Sequence, residues 1–580
     1  MKLRLVQLAC AAVLVAATGS LAAPPRVQAD TYQRISGSGS SWAANAIDAM
    51  RVNVKQFGIT VDFNPNGSTA GRKDYLNGVV DFAASDIPFQ FNPEDGSAPE
   101  NPAAGSYAYI PVTAGGTAFM YNLKINGKRV TNLRLSGENV AKIFTGAITM
   151  WNDPAIVADN PGLTLPARTV VPVVRSDGSG SSAQFTAWMI KTHEPVWNNF
   201  CQRSGRAPAC GFTSFYPTVQ GMIAQQGDLG VAGYVSQNFA EGAIGYVNYS
   251  YALGSQFPVV KLLNAAGYYT EPTPEKVAVS LLKAQINTDA SNPSLYLTQN
   301  LDGVYADTDP RNYQLSSYSY LIVPTIVQGQ FNLEKGKTLG AFAYYAMCEA
   351  QQQSASLGYS PMPVNLVEAS FDQIRKIPGV VVENVNIAQC QNPTFSADGT
   401  NTLAQNAAAP KSCDQQGPTQ CPDGTAGMAN VPTAINPSAQ APTATVPASG
   451  GATPTTVASG GATKTTTAPG AGGATGTTVV DPNNPNGVTD PNVTLPDGSP
   501  VVIEGVGTVT CIDPSACGAT SPDGVATPQG ALTAAPAVAT MIADSSSTGT
   551  LGLELLVVFL TLGMVLGPAI AWRYFTERRS

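Results

Sequence analysis

The stretch Val173-Val-Arg-Ser-Asp-Gly-Ser-Gly-Ser-Ser182 is the part of the sequence that is most informative about the fold of this chain. An apolar run ends at Arg175, a glycine- and serine-rich loop follows, and apolar residues then recur at helical spacing, at Phe185, Trp188 and Met189. A strand, a loop and a helix N-terminus in this order bring together free backbone N–H groups, hydroxyls and a guanidinium. Such a set favours a small anion, although a surface turn with a serine N-cap would use the same residue types.

Three other segments have the same character. Ile35-Ser-Gly-Ser-Gly-Ser-Ser-Trp42 is a glycine- and serine-rich loop before an amphipathic helical pattern. A short strand at 59–63 runs into Asn64-Pro-Asn-Gly-Ser-Thr-Ala-Gly71, which opens a second helix. Val79-Val-Asp-Phe-Ala-Ala-Ser-Asp86-Ile-Pro88 predicts a buried strand that ends at an acid. Repeated loops before helices strengthen the prediction of an anion site, because each helix start adds N–H donors.

In this order and spacing, the four segments resemble the phosphate-binding proteins of bacterial phosphate ABC importers, the PstS family. That family shows a G-x-G-[AS]-[ST]-aromatic start, a G-S-x-x-G loop, a V-D-F-x-A-S-D segment and an R-x-D-G-S-G-[ST] loop. Three further stretches agree, and they lie at 142–153, 160–166 and 242–247. The resemblance covers roughly residues 33–385. It implies a two-lobed α/β fold of the type II periplasmic-binding-protein kind, with a hinge and an interdomain ligand cleft.

The same resemblance implies the domain boundaries. Residues 30–390 would form the phosphate-binding protein-like domain, and the lobes would divide it unequally. Lobe one would hold 31–118 and 316–390, and lobe two would hold 119–315. The chain would cross between the lobes near 112–121 and 313–322, and ligand binding would close the lobes about those crossings.

Lobe one carries four of the residues that the resemblance assigns to the ligand. Ser41 would donate a hydroxyl hydrogen bond, and Trp42 would donate its backbone N–H. Ser68 matches the serine of the second loop, and Asp86 matches the acid that accepts a proton from the ligand. Serine stands here for the threonine of the family at 41, and tryptophan stands for phenylalanine at 42.

Lobe two carries the remaining assignments. Arg175 matches the charged clamp, and Asp177 matches the acid that steadies that arginine. Ser179, Gly180 and Ser181 match the donors of the third loop. The resemblance thus implies inorganic phosphate as the ligand and ABC permease subunits as partners.

Asp86 is expected to distinguish phosphate from sulfate. An ionised carboxylate only accepts hydrogen bonds, and phosphate at neutral pH still has a proton to donate. Sulfate has no such proton, so it would place two acceptors against each other in a dry cleft. The alternative is that Asp86 is an ordinary turn acid before Pro88.

Composition excludes several function classes. The net charge is −8, and no basic stripe that would indicate nucleic-acid binding is present. His193 is the only histidine, so the chain has no Ser-His triad and no histidine metal cluster, and it has no C-x-x-C pair. We therefore expect no metal, no cofactor and no enzymatic activity.

Arg72 is expected to be a solvated helix residue. The alternative is that its side chain adds positive charge at the mouth of the cleft.

Both ends of the chain differ in character from the middle. Residues 1–29 have the pattern of a secretory signal peptide, with cleavage after Ala29. Residues 391–550 are rich in Ala, Thr, Pro and Gly and predict a flexible stalk. Residues 551–573 predict a transmembrane helix, and 574–580 a cytoplasmic tail that contains Arg578 and Arg579. The protein would thus be anchored at the cell surface, outside the cytoplasm.

Eight cysteines remain once Cys10 of the signal peptide is set aside. An even number outside the cytoplasm indicates disulfides, and the sequence alone leaves their connectivity open. Pairing of nearest neighbours would give 201–210, 348–390, 413–421 and 511–517.

Three function classes remain open. The first is the phosphate receptor of an ABC importer. The second is a membrane-tethered sensor or surface protein on the same fold, because the stalk is longer than a receptor needs. The third is an enzyme on this fold, and it is disfavoured because no nucleophile–base pair is evident.

Overall fold

The computed structural model describes residues 32–206, 210–396 and 399–436. Its strands are β1 (Ile35–Gly39), β2 (Val61–Asn64), β3 (Phe82–Ser85), β4 (Tyr107–Tyr121), β5 (Lys124–Ile125), β6 (Lys128–Arg129), β7 (Arg134–Leu135), β8 (Val171–Arg175), β9 (Ile223–Gln225), β10 (Ala243–Asn248), β11 (Lys261–Leu263), β12 (Tyr269–Thr270), β13 (Gln285–Ile286), β14 (Gln299–Asn300) and β15 (Ser316–Pro324).

The helices lie between these strands and after them. They are α1 (Ala44–Asn53), α2 (Ser68–Leu76), α3 (Gly137–Phe144), α4 (Pro154–Asp159), α5 (Gly180–Arg203), α6 (Gly227–Val235), α7 (Tyr249–Gly254), α8 (Pro274–Leu281), α9 (Asp302–Tyr305), α10 (Leu333–Met347), α11 (Gln351–Ser354), α12 (Val364–Ile374) and α13 (Thr402–Gln405). Short 3₁₀ turns occupy Val54–Phe57, Ala355–Leu357, Ile387–Cys390, Ser412–Asp414 and Ala426–Met428.

One eight-stranded sheet of order β2-β1-β3-β15-β4-β10-β8-β9 organises the fold. The strands β2, β1 and β3 are parallel at one end, and β10, β8 and β9 are parallel at the other. The antiparallel pair β15 and β4 joins the two sets. Residues 107–116 of β4 pair with β15, whereas 117–121 pair with β10. The predicted α/β fold of two lobes is confirmed, and β4 is a chain segment that both lobes share.

The first glycine- and serine-rich stretch is a strand rather than a loop over its first half. Strand β1 pairs with β2 on one side and with β3 on the other. A Cβ on Gly37 would lie 2.3 Å from the ring of Phe82, and one on Gly71 would lie 2.4 Å from the Cα of Gly39. The sequence prediction of a loop was wrong here because these glycines serve close packing, which local propensity does not reveal.

The prediction of a stalk that starts at 391 is wrong for residues 391–396 and 399–436, which make contacts with the folded domain. The guanidinium of Arg134 donates to the carbonyls of Cys413 (3.2 Å) and Thr419 (2.8 Å). The ammonium of Lys261 donates to both oxygens of Asp414, at 2.8 and 3.0 Å. The side chains of Lys261 and Asp414 are 8% and 10% exposed, so a buried ion pair joins this segment to lobe two. We name residues 399–436 the lobe-two cover.

Three disulfides join Cys201 to Cys210, Cys348 to Cys390 and Cys413 to Cys421. These three nearest-neighbour pairs are confirmed, and the fourth predicted pair, 511–517, lies outside the described residues. The disulfide at 413–421 closes a short loop inside the lobe-two cover. It explains how a segment with few large apolar side chains holds a defined structure, because the cross-link restricts its unfolded forms.

Helix α5 bends at His193, where φ is −140°, two residues before Pro195. The imidazole is partly buried and meets the ring of Trp188 edge to face at 4.9 Å, and burial lowers its pKa.

Among the residues that the structure describes, no helix combines the length and the apolar character needed to cross a bilayer. The predicted signal peptide, the rest of the stalk, the transmembrane helix and the tail lie outside the described residues.

Candidate functional site

The carboxyl ends of strands from both lobes meet at one cleft. Asp86 follows β3, Arg175 ends β8, and Ser179 precedes α5. The backbone N–H of Thr69 in lobe one donates to the carbonyl of Gly178 in lobe two at 3.0 Å. The cleft of open parallel sheets is the usual place for a ligand, since the loops after such strands gather there. The four segments of the sequence analysis, three loops and the strand that ends before Asp86, therefore meet at one cleft.

Arg175 is held at the end of β8 by a paired carboxylate. Its Nε donates to Asp177 Oδ1 at 2.8 Å, and its Nη2 donates to Asp177 Oδ2 at 2.5 Å. Burial works against the charge of the guanidinium, but Asp228 and Asp177 raise its pKa above the ordinary value. Burial likewise opposes ionisation of Asp177, yet Arg175 holds the pKa of that carboxyl below its usual range. The clamp is therefore a permanent cation with a fixed orientation.

The third loop supplies neutral donors beside this cation. Ser179 is the N-cap of α5, and its hydroxyl accepts from the N–H of Ser182 at 3.2 Å. The hydroxyls of Ser179 and Ser181 share a hydrogen bond of 2.7 Å, and Arg175 Nη1 donates to Ser181 at 3.1 Å. Gly180 is required between them, because a Cβ there would lie 2.6 Å from both Asp86 Oδ2 and the Ser68 hydroxyl. The start of α5 thus reaches across to lobe one.

Asp86 is the acid of lobe one, and it is 2% exposed. The hydroxyl of Ser40 donates to its Oδ1 at 2.6 Å, and that of Ser68 donates to its Oδ2 at 3.2 Å. Burial raises the pKa of Asp86 to about 6, and the two serine hydrogen bonds oppose that shift. Asp86 is therefore ionised, and able only to accept, in neutral and alkaline solution. The sequence analysis did not assign Ser40 to the site.

Trp42 fixes the backbone of the first loop. Its side chain is 1% exposed, and its indole N–H donates to Thr117 Oγ1 at 3.1 Å. Its carbonyl accepts from the hydroxyl of Tyr359 at 2.6 Å, and the two rings meet edge to face at 5.9 Å. The side chain packs in the core, so only the backbone of Trp42 is offered to a ligand.

Asp228 is a buried acid of the site that the sequence analysis missed. It lies in the first turn of α6, and its Oδ2 accepts from Arg175 Nη1 at 2.6 Å and from the Ser41 hydroxyl at 2.7 Å. A carboxylate only accepts, so the single proton of Ser41 points to Asp228. The predicted donation from the Ser41 hydroxyl to a ligand therefore requires release of its contact with Asp228. The pair Gly227-Asp228 before an apolar run was visible in the sequence, but it indicates only an acidic helix start.

Arg72 also differs from its prediction. The residue is 1% exposed, its Nε donates to Glu100 at 2.7 Å, and its Nη1 donates to Ser85 Oγ at 2.9 Å. It is neither solvated nor a free charge at the cleft mouth, since Glu100 balances it inside lobe one. In the part of the chain that the structure describes, no three His, Cys, Asp or Glu side chains gather as they would around a metal ion. What the site offers chemically is one guanidinium, aligned N–H and O–H donors and buried acceptors.

Comparisons with known proteins place this geometry in a family. Residues 24–350 match the PBP superfamily domain. The phosphate-binding protein PstS 2 of Mycobacterium tuberculosis is 30% identical over 319 residues, which are 53% of this chain and 76% of that protein. The phosphate-binding protein PstS of Xylella fastidiosa is 30% identical over 349 residues, which are 60% of this chain and 86% of that protein.

A solved structure of a phosphate-binding protein from Stenotrophomonas maltophilia is 17% identical, covers 64% of this chain and 99% of its own, and gives a TM-score of 0.42. The family match spans more than half of the 580 residues, and each of the two PstS proteins is matched over more than two thirds of its own length. This chain belongs to the PBP superfamily and, within it, to the family of PstS phosphate-binding proteins.

Proposed function

We propose that this protein captures inorganic phosphate in the cleft between its lobes and is the substrate-binding component of a phosphate ABC importer. The convergence of Arg175, the start of α5 and Asp86 carries the proposal, because it joins a cation, aligned donors and an acceptor in one buried place. The names of the PstS relatives support the same ligand.

Each half of the site has its own part in the proposed binding. Arg175 supplies the charge, and Ser179, Gly180 and Ser181 supply donors at the positive end of α5. In lobe one, Ser68 and the backbone at Trp42 supply donors, and Asp86 supplies the acceptor. Ser41 and Ser68 each give their hydroxyl proton to an acid of the site in this structure, Ser41 to Asp228 and Ser68 to Asp86, so each has to release that contact in order to donate to phosphate.

Asp86 gives the proposed selectivity. Its pKa of about 6 leaves it ionised at pH 8, where monohydrogen phosphate still has one proton to donate. Sulfate offers no proton and would leave Asp86 facing another acceptor without water. A ligand that leaves a buried polar group without its hydrogen-bond partner can bind several powers of ten more weakly than one that supplies the partner.

Calorimetric titration of residues 30–436 at pH 8 tests the ligand. We expect phosphate and arsenate to bind, and sulfate to bind at least about a thousandfold more weakly. This fragment ends after the lobe-two cover, whose removal would expose Lys261 and Arg134. Equal affinities for phosphate and sulfate would contradict the assignment of Asp86, and no heat with any of the three would contradict the proposed function.

The location of the protein belongs to the same proposal. Signal peptide 1–29, transmembrane helix 551–573 and tail 574–580 would hold the binding domain at the outer face of the cell membrane, with residues 437–550 as the tether. Deletion of 551–580 should release a phosphate-binding protein into the medium, and fractionation of cells and medium would show it. Release of the intact chain would contradict the anchor. Normal phosphate uptake in a strain lacking the gene would favour a tethered sensor over an importer subunit.

A further inference from the structure

Arg175 has no N–H group to spare in this structure. Its Nε and one Nη2 hydrogen go to Asp177, and the others go to Ser41 (2.8 Å), Ser181 (3.1 Å) and Asp228 (2.6 Å). These contacts account for the five donors of a guanidinium. A bound anion must therefore take over hydrogen bonds that the protein already makes, and the partner that it displaces contributes to the cost of binding.

The partners of Arg175 lie on different edges of the guanidinium. Asp177 binds the Nε–Nη2 edge with two bonds and leaves the Nη1 end open. Asp228 Oδ2 occupies the Nη1 end and also takes the proton of Ser41. It thus makes two contacts of the kind that an oxygen of a bound oxyanion would make, one with the clamp and one with a loop hydroxyl.

Asp228 is held in this position from several directions. Its Oδ1 accepts from the N–H of Asn248 at 2.7 Å, and its own N–H donates to Ser41 Oγ at 3.1 Å. The residue is fully buried, so solvent does not screen its charge. Ser41 belongs to lobe one, while Asp228 and Arg175 belong to lobe two, so this carboxylate also ties the lobes together.

The charged and titratable groups around Asp228 are mostly acidic or neutral. Arg175 is the cation in contact with Asp228, and Asp177 binds the same guanidinium. Asp86 faces Asp228 across the cleft. Burial raises the pKa of Asp86, hydrogen bonds from Ser40 and Ser319 lower it, and the charge of Asp228 raises it further. Tyr251 and Tyr359 face Asp228 as well, and burial raises the pKa of both, so they stay neutral. Asp177 and Asp228 thus share one guanidinium, and a third carboxylate, Asp86, lies close enough to Asp228 to respond to its charge.

From this arrangement we propose that Asp228 is an internal counter-anion of the clamp, a specificity-determining residue that competes with the bound ligand for Arg175 and lowers the affinity for dianions. The inference rests on the proposed function, because it concerns the same anion site. Asp228 keeps the empty clamp satisfied, and its negative charge repels every entering anion. Phosphate and sulfate are both dianions at pH 8, but phosphate can lower this repulsion by taking up a second proton and sulfate cannot, so the same residue adds to the rejection of sulfate.

Asp228→Asn in the full-length protein separates this role from a structural one. The amide keeps the size of the side chain and removes its charge. We expect phosphate to bind about tenfold more tightly and sulfate to gain more than phosphate, because repulsion between unit charges a few ångströms apart stays above thermal energy inside a protein. The matched control is Asp177→Asn, which loosens the oriented edge of Arg175 and should weaken phosphate binding instead.

The measurements are titrations of each variant with inorganic phosphate and with sulfate at pH 8, together with a thermal melt. Tighter phosphate binding by Asp228→Asn, with a smaller ratio of phosphate to sulfate affinity, would establish the inference. Weaker or unchanged phosphate binding in the folded variant would overturn it and leave the proposed function standing. If Asp228→Asn fails to fold, Asp228→Ser provides the same comparison with a neutral side chain. Absence of phosphate binding in the unaltered protein would overturn the proposed function itself.

Discussion

The two lobes build their halves of the cleft from similar strand–loop–helix units but with different chemistry. Lobe one presents Asp86 held by the hydroxyls of Ser40 and Ser68, a group that changes charge near neutral pH. Lobe two presents Arg175 in contact with Asp177 and Asp228, and the charge of the guanidinium does not titrate in the physiological range. Under the proposed function, lobe two supplies the cation that attracts the anion, whereas Asp86 of lobe one and Asp228 of lobe two discriminate between anions.

Two buried arginines sharpen the same contrast. Arg72 in lobe one and Arg175 in lobe two have side chains that are each 1% exposed. Arg72 is balanced by Glu100 within its own lobe, and its remaining contacts are to neutral oxygens. Arg175 instead makes a hydrogen bond to Ser41 of the other lobe. Burial alone therefore does not distinguish the two arginines, whereas a hydrogen bond between the lobes does.

The largest expected effect concerns the support that lobe two takes from the lobe-two cover. Asp414→Ala leaves the ammonium of Lys261 buried without its partner, so the free energy of unfolding should fall by about 3–5 kcal/mol. Urea unfolding measures this loss, and hydrogen exchange should locate it in lobe two, with lobe one retaining its protection.

Asp423→Ala is the matched control on the same segment. Its partner Lys411 is 65% exposed, and water screens a pair of this kind, so Asp423→Ala should lower the free energy of unfolding far less than Asp414→Ala. Equal losses for the two variants would show that the cover does not support lobe two through the buried pair.

The next effect compares the two arginines directly. Arg175→Ala should weaken phosphate binding by about 2–4 kcal/mol, because it removes charge-assisted hydrogen bonds at the clamp. Arg72→Ala should destabilise the fold and leave the phosphate affinity of the folded fraction within about threefold, well under 1.4 kcal/mol. Titration calorimetry and thermal melts measure the two quantities. Normal phosphate binding by Arg175→Ala would assign the 175–182 loop to a surface turn.

The smallest effect concerns Asp86 and its titration. Because its pKa in the folded protein is raised to about 6, Asp86 adds stability at low pH and loses it as the pH rises through about 6. Asp86→Asn should therefore raise the melting temperature of the ligand-free protein at pH 8 and change it little at pH 4.

Sulfate binding follows the same titration. In the unaltered protein it should strengthen as the pH falls below about 6, because a protonated Asp86 can donate to sulfate. In Asp86→Asn the sulfate affinity should be higher at pH 8, by about 1–3 kcal/mol, and should no longer follow pH. A pH-dependent sulfate affinity in the Asn variant would place the titrating group elsewhere.

Local pattern, together with the resemblance to the PstS family, predicted much of the fold and of the candidate site. The glycine- and serine-rich loops before helical patterns located Ser68, Arg175 and Ser179–Ser181, because turn chemistry and helix starts depend on nearby residues. The acid after a buried strand located Asp86 in the same way. Nearest-neighbour cysteines gave the three described disulfides, since short loops close most easily.

What the tertiary structure alone decided depends on partners distant in the chain. Asp228 meets Ser41 across 187 residues, and nothing near Asp228 in the sequence indicates that it will share a guanidinium with Asp177. The lobe-two cover was read as stalk because its composition is poor in large apolar residues, whereas its structure comes from a disulfide and from buried partners on lobe two. The sequence by itself indicated which loops gather at the candidate site, and the packing of the lobes determined which charges lie there, because burial and long-range contacts set the electrostatics of the cleft.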